Sequence, residues 1–260
     1  AGSLLSAAAL LGLIAGSALY AEVHGAWQGV VSALALGPAV TLPQAWQLPS
    51  WALITPAILA LALLLARWVR RGELSYPAAA VDGYIQPWQA ALGLAAVGLA
   101  SYLLVGMPLG ITTAYAKAGA FLEALAVPAH AASLEYFQAE GLRYVPPFAE
   151  TEVSGGAGPR LDAIAAIQFP LILGIAAGAA YSARRLGEWK LRWRAPAPQY
   201  TSALIGGLLM GLAARMAPAC NIWHLLGGLP VLAIQSLLFV AGLVPGAWLG
   251  SLLLTRVVLR

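Results

Sequence analysis

Residues Leu229 to Leu254 pass without a single charged side chain. A run of about 20 apolar residues matches the hydrocarbon core of a bilayer as a helix. In lipid every backbone N–H and C=O must be satisfied by the chain itself, which leaves helices and closed barrels as the only spanning forms. Similar apolar runs recur at Leu4–Tyr20, Trp51–Trp68, Trp88–Val105, Leu161–Tyr181 and Ser202–Ala217. Two weaker stretches are read as short, re-entrant or tilted helices: Trp27–Val40, ended by Gly37-Pro38, and Ile111–Val127, opened by Met107-Pro108-Leu109-Gly110. Only 9% of the residues are charged and 61% are hydrophobic, against about 25% charged in soluble domains. The chain is therefore an all-α integral membrane protein. Residues 1–260 form one membrane domain, a bundle of spanning and half-spanning segments with external loops at 21–50 and 128–160.

Charge sets the orientation. Of the 14 basic residues, Arg67, Arg70 and Arg71 form one group. Arg184, Arg185, Lys190, Arg192 and Arg194 form a second, and Arg256 and Arg260 a third. The positive-inside rule places all three on the cytoplasmic side, with the C-terminus. Loop 21–50 has no Lys or Arg, and loop 128–160 carries Glu135, Glu140, Glu150 and Glu152, so both are expected outside. Basic charge is thus used for orientation rather than for nucleic acid. Trp27, Trp46, Trp51, Trp88, Trp189 and Trp193 flank the spans as an aromatic belt. Ala1-Gly2-Ser3 enters the first apolar run with no initiator Met and no basic n-region, so it is not a signal peptide and the chain is expected to be a piece of a longer one.

The 28 Gly and 17 Pro favour close helix packing and discontinuous helices. One such interruption, Arg215-Met216-Ala217-Pro218-Ala219-Cys220-Asn221-Ile222-Trp223-His224, holds the chain's one cysteine. Polar groups at membrane depth mark function by default, and a broken helix there must be buried in protein or line a cavity. Cys220, Arg215, Asn221 and His224 are accordingly the first candidate binding residues. A thiol is a soft partner for sulfur, and a small buried hydrophobe is the alternative reading of Cys220. The second candidate element is Gly110, Thr112, Thr113 and Lys117, where a helix begins in mid-membrane and presents an anion-binding end. Lys117 either adds charge to that site or snorkels to an interface. His24 and His130 are expected solvated in external loops, and Glu22 and Glu123 interfacial. No metal set, cofactor motif, hydrolytic triad or ATP-binding loop is expected; Gly155-Gly156-Ala157-Gly158 has no strand before it and no Lys-Ser/Thr after it. The combination of polar groups and broken helices is expected to form a site where something passes or binds.

Glu188-Trp189-Lys190-Leu191-Arg192, Gly206-Gly207-Leu208-Leu209-Met210-Gly211, and Ala219-Cys220-Asn221-Ile222 with His224 and Gly228-Leu229-Pro230 resemble the C-terminal signature of the YeeE/YedE sulfur-transport family. Gly110-Ile111-Thr112 is similar to the family's other re-entrant element. The resemblance implies thiosulfate uptake across the inner membrane through a pseudo-symmetric hourglass of full and short helices. Cysteines there contact the sulfane sulfur, and Cys220 takes the late position in that relay. It also implies a cytoplasmic sulfur-carrier acceptor of the TusA type. The family's first half, with its own cysteines, has no counterpart here, which implies that it precedes residue 1, that it comes from a second chain, or that this member handles its substrate differently. Pro218, Ala219 and Trp223 stand where the family has glycines. The competing reading is a membrane anchor or subunit that keeps the fold without transporting.

Overall fold

The computed structural model describes residues 3–35, 40–72, 83–148, 151–190 and 193–258. Ala1-Gly2, Gly37-Pro38, Glu150, Leu191-Arg192 and Arg260 lie outside the described residues. The chain forms α1 (Leu4–Leu34), α2 (Leu42–Ala45), α3 (Ser50–Arg71), α4 (Pro87–Val105), α5 (Thr112–Ala126), α6 (Pro128–Ser133) and α7 (Glu135–Gln138). A hairpin of β1 (Leu142–Tyr144) and β2 (Val153–Gly155) follows, then α8 (Ala163–Arg185) and α9 (Ala197–Met216). A π-helical turn, Trp223–Gly228, leads to α10 (Ile234–Leu253). Helices α1, α3, α4, α8 and the segment Ile234–Arg256 are each long and apolar enough to cross a membrane. The fold is that of an all-α membrane protein.

Helix α1 differs from expectation. It was to end near Tyr20, with residues 21–50 a loop and Trp27–Val40 a separate short helix; instead it continues unbroken to Leu34. At 1.5 Å per residue it is about 46 Å long, more than the hydrocarbon thickness of about 30 Å. Polar residues lower the apolarity after Tyr20 without ending the helix, because each finds a partner on another turn or element. His24 Nδ1 bonds Tyr20 Oη at 3.2 Å, and Trp27 Nε1 donates to Met216 O at 3.1 Å. Glu22 lies 3.5 Å from His130. His24 and His130 are therefore held, not simply solvated.

Small residues hold the centre. In lipid no hydrophobic force drives helices together, so close backbone packing carries the association. Gly12 and Gly16 of α1 face Gly207 and Gly211 of α9 in two reciprocal four-residue spacings. A Cβ on Gly12 would overlap Leu204 O, on Gly16 Leu208 O, on Gly207 Ala9 O and on Gly211 Leu13 O. The partners advance together along both helices, so α1 and α9 run parallel. Gly119 brings α5 close to α1 as well, since a Cβ there would stand 2.8 Å from Ala18 Cβ. By contrast α3 and α4 bury no residue. Their apolar side chains are suited to lipid.

Segments 128–148 and 151–160 form a folded cap. Ala131 and Phe137 pack with Ala21 of α1 and Ala120 of α5. The glycines of the 155–158 run serve close approach: a Cβ on Gly156 would overlap Ala139 O, and on Gly158 Phe137 O. Lys117 of α5, wholly buried, fixes the end of this cap. Its ammonium donates to Gly158 O at 3.2 Å, Arg160 O at 2.8 Å and Asp162 Oδ2 at 2.7 Å. Asp162 in turn accepts from Ala165 N and caps α8. Burial works against the Asp162 carboxylate, but the bonds from Lys117, Ala165 N and Gly156 N outweigh it and hold its pKa below the usual carboxylate value.

Candidate functional site

Two chain breaks meet. Helix α4 ends at Gly106, whose φ of 77° is the left-handed conformation glycine tolerates. A side chain there would also strike the backbone of Val145 and Pro146. Met107–Ile111 then runs non-helically to the start of α5. The second break follows α9: residues 217–220 leave the helix, and helical structure resumes at Asn221. His224 N donates to Cys220 O at 3.0 Å, the first bond of the resumed turn. Tyr102 of α4 donates to Gly227 O at 3.2 Å, tying the first break to the second. The expected helix interruption at Cys220 is thus present, and both breaks border one cavity.

That cavity is about 30 Å³, room for about two water-sized groups on the measure where one needs roughly 10–15 Å³. It is a small space. Gly110, Thr112 and Thr113 line it from the first break, Arg215, Pro218, Ala219, Cys220 and Trp223 from the second, and Met107, Leu142, Tyr144 and Gln168 complete it. Arg215 is the one charged residue of that lining, and it pairs with no carboxylate among the described residues. Its Nε donates to Tyr136 Oη at 2.7 Å, and its Nη1 to Thr113 Oγ1 at 3.2 Å and Thr112 Oγ1 at 3.4 Å. Tyr136 also lies beneath the guanidinium, 5.7 Å from ring centroid to Cζ. An anion here meets a fixed cation, a thiol, two hydroxyls and the N-terminus of α5, whose N-cap residue Ile111 supplies no capping side chain.

Five of the eight expected binding residues come together: Cys220, Arg215, Gly110, Thr112 and Thr113. The other three do not line the cavity. Asn221 opens the resumed turn with its side chain exposed. His224 is wholly buried and stitches the break instead. Its Nε2 faces Ala217 O at 2.9 Å and must carry the proton, because a carbonyl only accepts; in the neutral ring Nδ1 accepts from Ser236 Oγ at 2.9 Å. The ring stacks on Phe239 at 4.3 Å. Lys117 neither faces the anion space nor snorkels, because Asp162 and two carbonyls already hold its ammonium. Sequence reasoning missed Gln168, although a lone carboxamide inside the apolar run Leu161–Tyr181 is itself a signal. Trp223, which stands where the family has a glycine, lines the cavity as well. That ring lies at the meeting of the breaks, with a Cβ on Gly110 3.7 Å from its Cδ1.

One group among the described residues has the makings of a metal site. Single ligand atoms of Glu22, Glu123 and His130 lie within 4.8 Å of one another. His130 uses both ring nitrogens within it, Nδ1 to Glu123 Oε1 at 2.7 Å and Nε2 to Glu22 Oε1 at 3.5 Å. That is the geometry of a bridge joining α1, α5 and α6.

A family model described as Sulphur transport matches residues 1–249. Among curated proteins, the thiosulfate transporter TsuA of Spirochaeta thermophila is 42% identical over 85 residues, which are 33% of this chain and 26% of that protein. The chain thus aligns with about a quarter of that relative's length. No solved structure matches. The resemblance drawn from Gly206–Pro230 is borne out by a family match that spans nearly the whole sequence: the chain belongs to the Sulphur transport family.

Proposed function

We propose that this chain carries an inorganic sulfur anion, thiosulfate above others, across the membrane through the constriction between its two helix breaks. The observation that carries the proposal is the lining: one guanidinium with no carboxylate partner among the described residues, beside a thiol, two hydroxyls and a helix start whose N-cap residue supplies no capping side chain. Thiosulfate has hard, charged oxygens at one end and a soft sulfur at the other. Arg215 and the α5 N-terminus match the oxygens, and the Cys220 thiol matches the sulfur as a weak S–H donor. The similarity to a thiosulfate transporter supports the same anion.

The remaining expectations join this reading. The membrane is the inner one. Arg67, Arg70 and Arg71 at the end of α3, Arg184 and Arg185 at the end of α8, and Arg256 after α10 face the cytoplasm with the C-terminus. A TusA-like carrier accepts the sulfur there, and a second chain supplies the further cysteines of the relay. Transport, not catalysis, is the activity. Trp223, standing where the breaks meet, favours the competing reading of a sealed, non-transporting anchor. Uptake of labelled thiosulfate into proteoliposomes decides between them, with sulfate and chloride as competitors. Saturable uptake that chloride does not compete away supports transport, and flux equal to protein-free liposomes refutes it.

A further inference from the structure

Gln168 sits on the second turn of α8 and is only 3% exposed. Its carboxamide has two faces with different tasks. Oε1 accepts from Ala114 N at 2.8 Å, occupying an N–H in the first turn of α5. A backbone N–H only donates, so this contact fixes which end of the amide is oxygen and turns Nε2 the other way. Nε2 has no hydrogen-bond partner among the described residues, yet no buried polar side-chain atom lacks one. The residue's remaining exposure therefore includes Nε2, and that exposure opens into the cavity that Gln168 lines with Arg215 and Cys220. An amide donor with no protein partner that opens into the cavity is free to bond a ligand acceptor. Its placement is rigid: Asp162 caps α8, and Lys117 of α5 holds Asp162.

We infer that Gln168 is a substrate-binding residue, its Nε2–H donating to an oxygen of the sulfur oxyanion while Oε1 holds α5 in place. The inference rests on the anion-transport reading above. It assigns the oxyanion end of the ligand to the α8 side of the constriction and the sulfur end to Cys220. A neutral donor complements Arg215, because a dianion meets one fixed positive charge and is otherwise stabilised by dipoles.

Two near-isosteric variants test it in proteoliposomes. Gln168→Glu keeps an acceptor for Ala114 N but replaces the donor with an anion. Gln168→Met removes both groups and adds no charge. Both are expected to raise the KM for thiosulfate at least tenfold, and Gln168→Glu to melt close to wild type. Inhibition by sulfate, which offers only oxygens, should weaken in parallel in both variants, whereas Cys220→Ala, with its uptake lost, should keep wild-type thermal stabilisation by sulfate. A wild-type KM in either variant overturns the assignment, because a purely structural cap survives in Gln168→Glu. If wild-type protein moves no thiosulfate, the transport reading fails by itself. The donor role is then read from thermal stabilisation by sulfate, sulfite and thiosulfate, and stabilisation that is absent, or unchanged in the variants, overturns it.

Discussion

Asp162→Asn should destabilise the protein more than any other single-atom change in the cap. The Lys117 ammonium is wholly buried and 2.7 Å from Asp162 Oδ2, its other acceptors being two neutral carbonyls. Asparagine preserves size and can still cap α8 through its oxygen, as Asp162 does toward Ala165 N. In that pose its amide nitrogen, a donor, faces the ammonium. Breaking one side of a buried pair costs about 3–5 kcal/mol because the other charge is left uncompensated. For a chain of this size that corresponds to a melting temperature roughly 6–20 °C lower. Thermal unfolding of purified protein in one detergent, followed by circular dichroism, reads the shift. Lys117→Met combined with Asp162→Asn should cost less than the two single losses added together, since no lone charge remains. An Asp162→Asn melting point within about 2 °C of wild type would falsify the claim that this pair clamps the cap.

The same pair sets a pH dependence. Asp162 is held below the usual carboxylate pKa, so its contribution is present above the unfolded value and lost as pH falls through the folded one. Melting temperature should hold through mildly acidic pH and fall only below it, and the fall should be smaller in Asp162→Asn. Gly211→Leu should abolish accumulation of folded protein, because even a Cβ overlaps Leu13 O; monodisperse protein at wild-type yield contradicts the α1–α9 packing. His224→Phe leaves Ala217 O and the Ser236 hydroxyl without their partner and should cost about 1–3 kcal/mol, which the same melts measure. Trp223→Gly should widen the constriction and raise thiosulfate flux; unchanged flux means that this ring does not limit passage.

The spans were legible because lipid allows an apolar run little choice: Trp51–Trp68, Trp88–Val105 and Leu161–Tyr181 became α3, α4 and α8 with only end shifts. The continuation of α1 to Leu34 was not, because Glu22 and His24 break the apolar run while their partners, His130 and Tyr20, become visible only in the fold. The two breaks announced themselves through Pro108-Leu109-Gly110 and Pro218, and the residues beside them do share a cavity. Lys117 was ambiguous for a physical reason. A lysine at membrane depth needs an anion, and Asp162 lies in a distant stretch whose path the sequence does not reveal. His224 likewise looked functional because it is polar, yet Ser236 and Ala217 O already satisfy it. Gln168 carried the opposite lesson, since its half-satisfied amide is visible only once Ala114 is placed against it.

Thiosulfate uptake by Cys220→Ser tests the central claim most directly. Cys220 lies on the lining where the second break meets the α5 N-terminus, with no disulfide to lose. The hydroxyl keeps nearly the same shape but loses the soft sulfur partner. The account predicts that this variant folds and melts as wild type while its thiosulfate uptake falls to the level of empty liposomes. Wild-type uptake in the folded variant contradicts it.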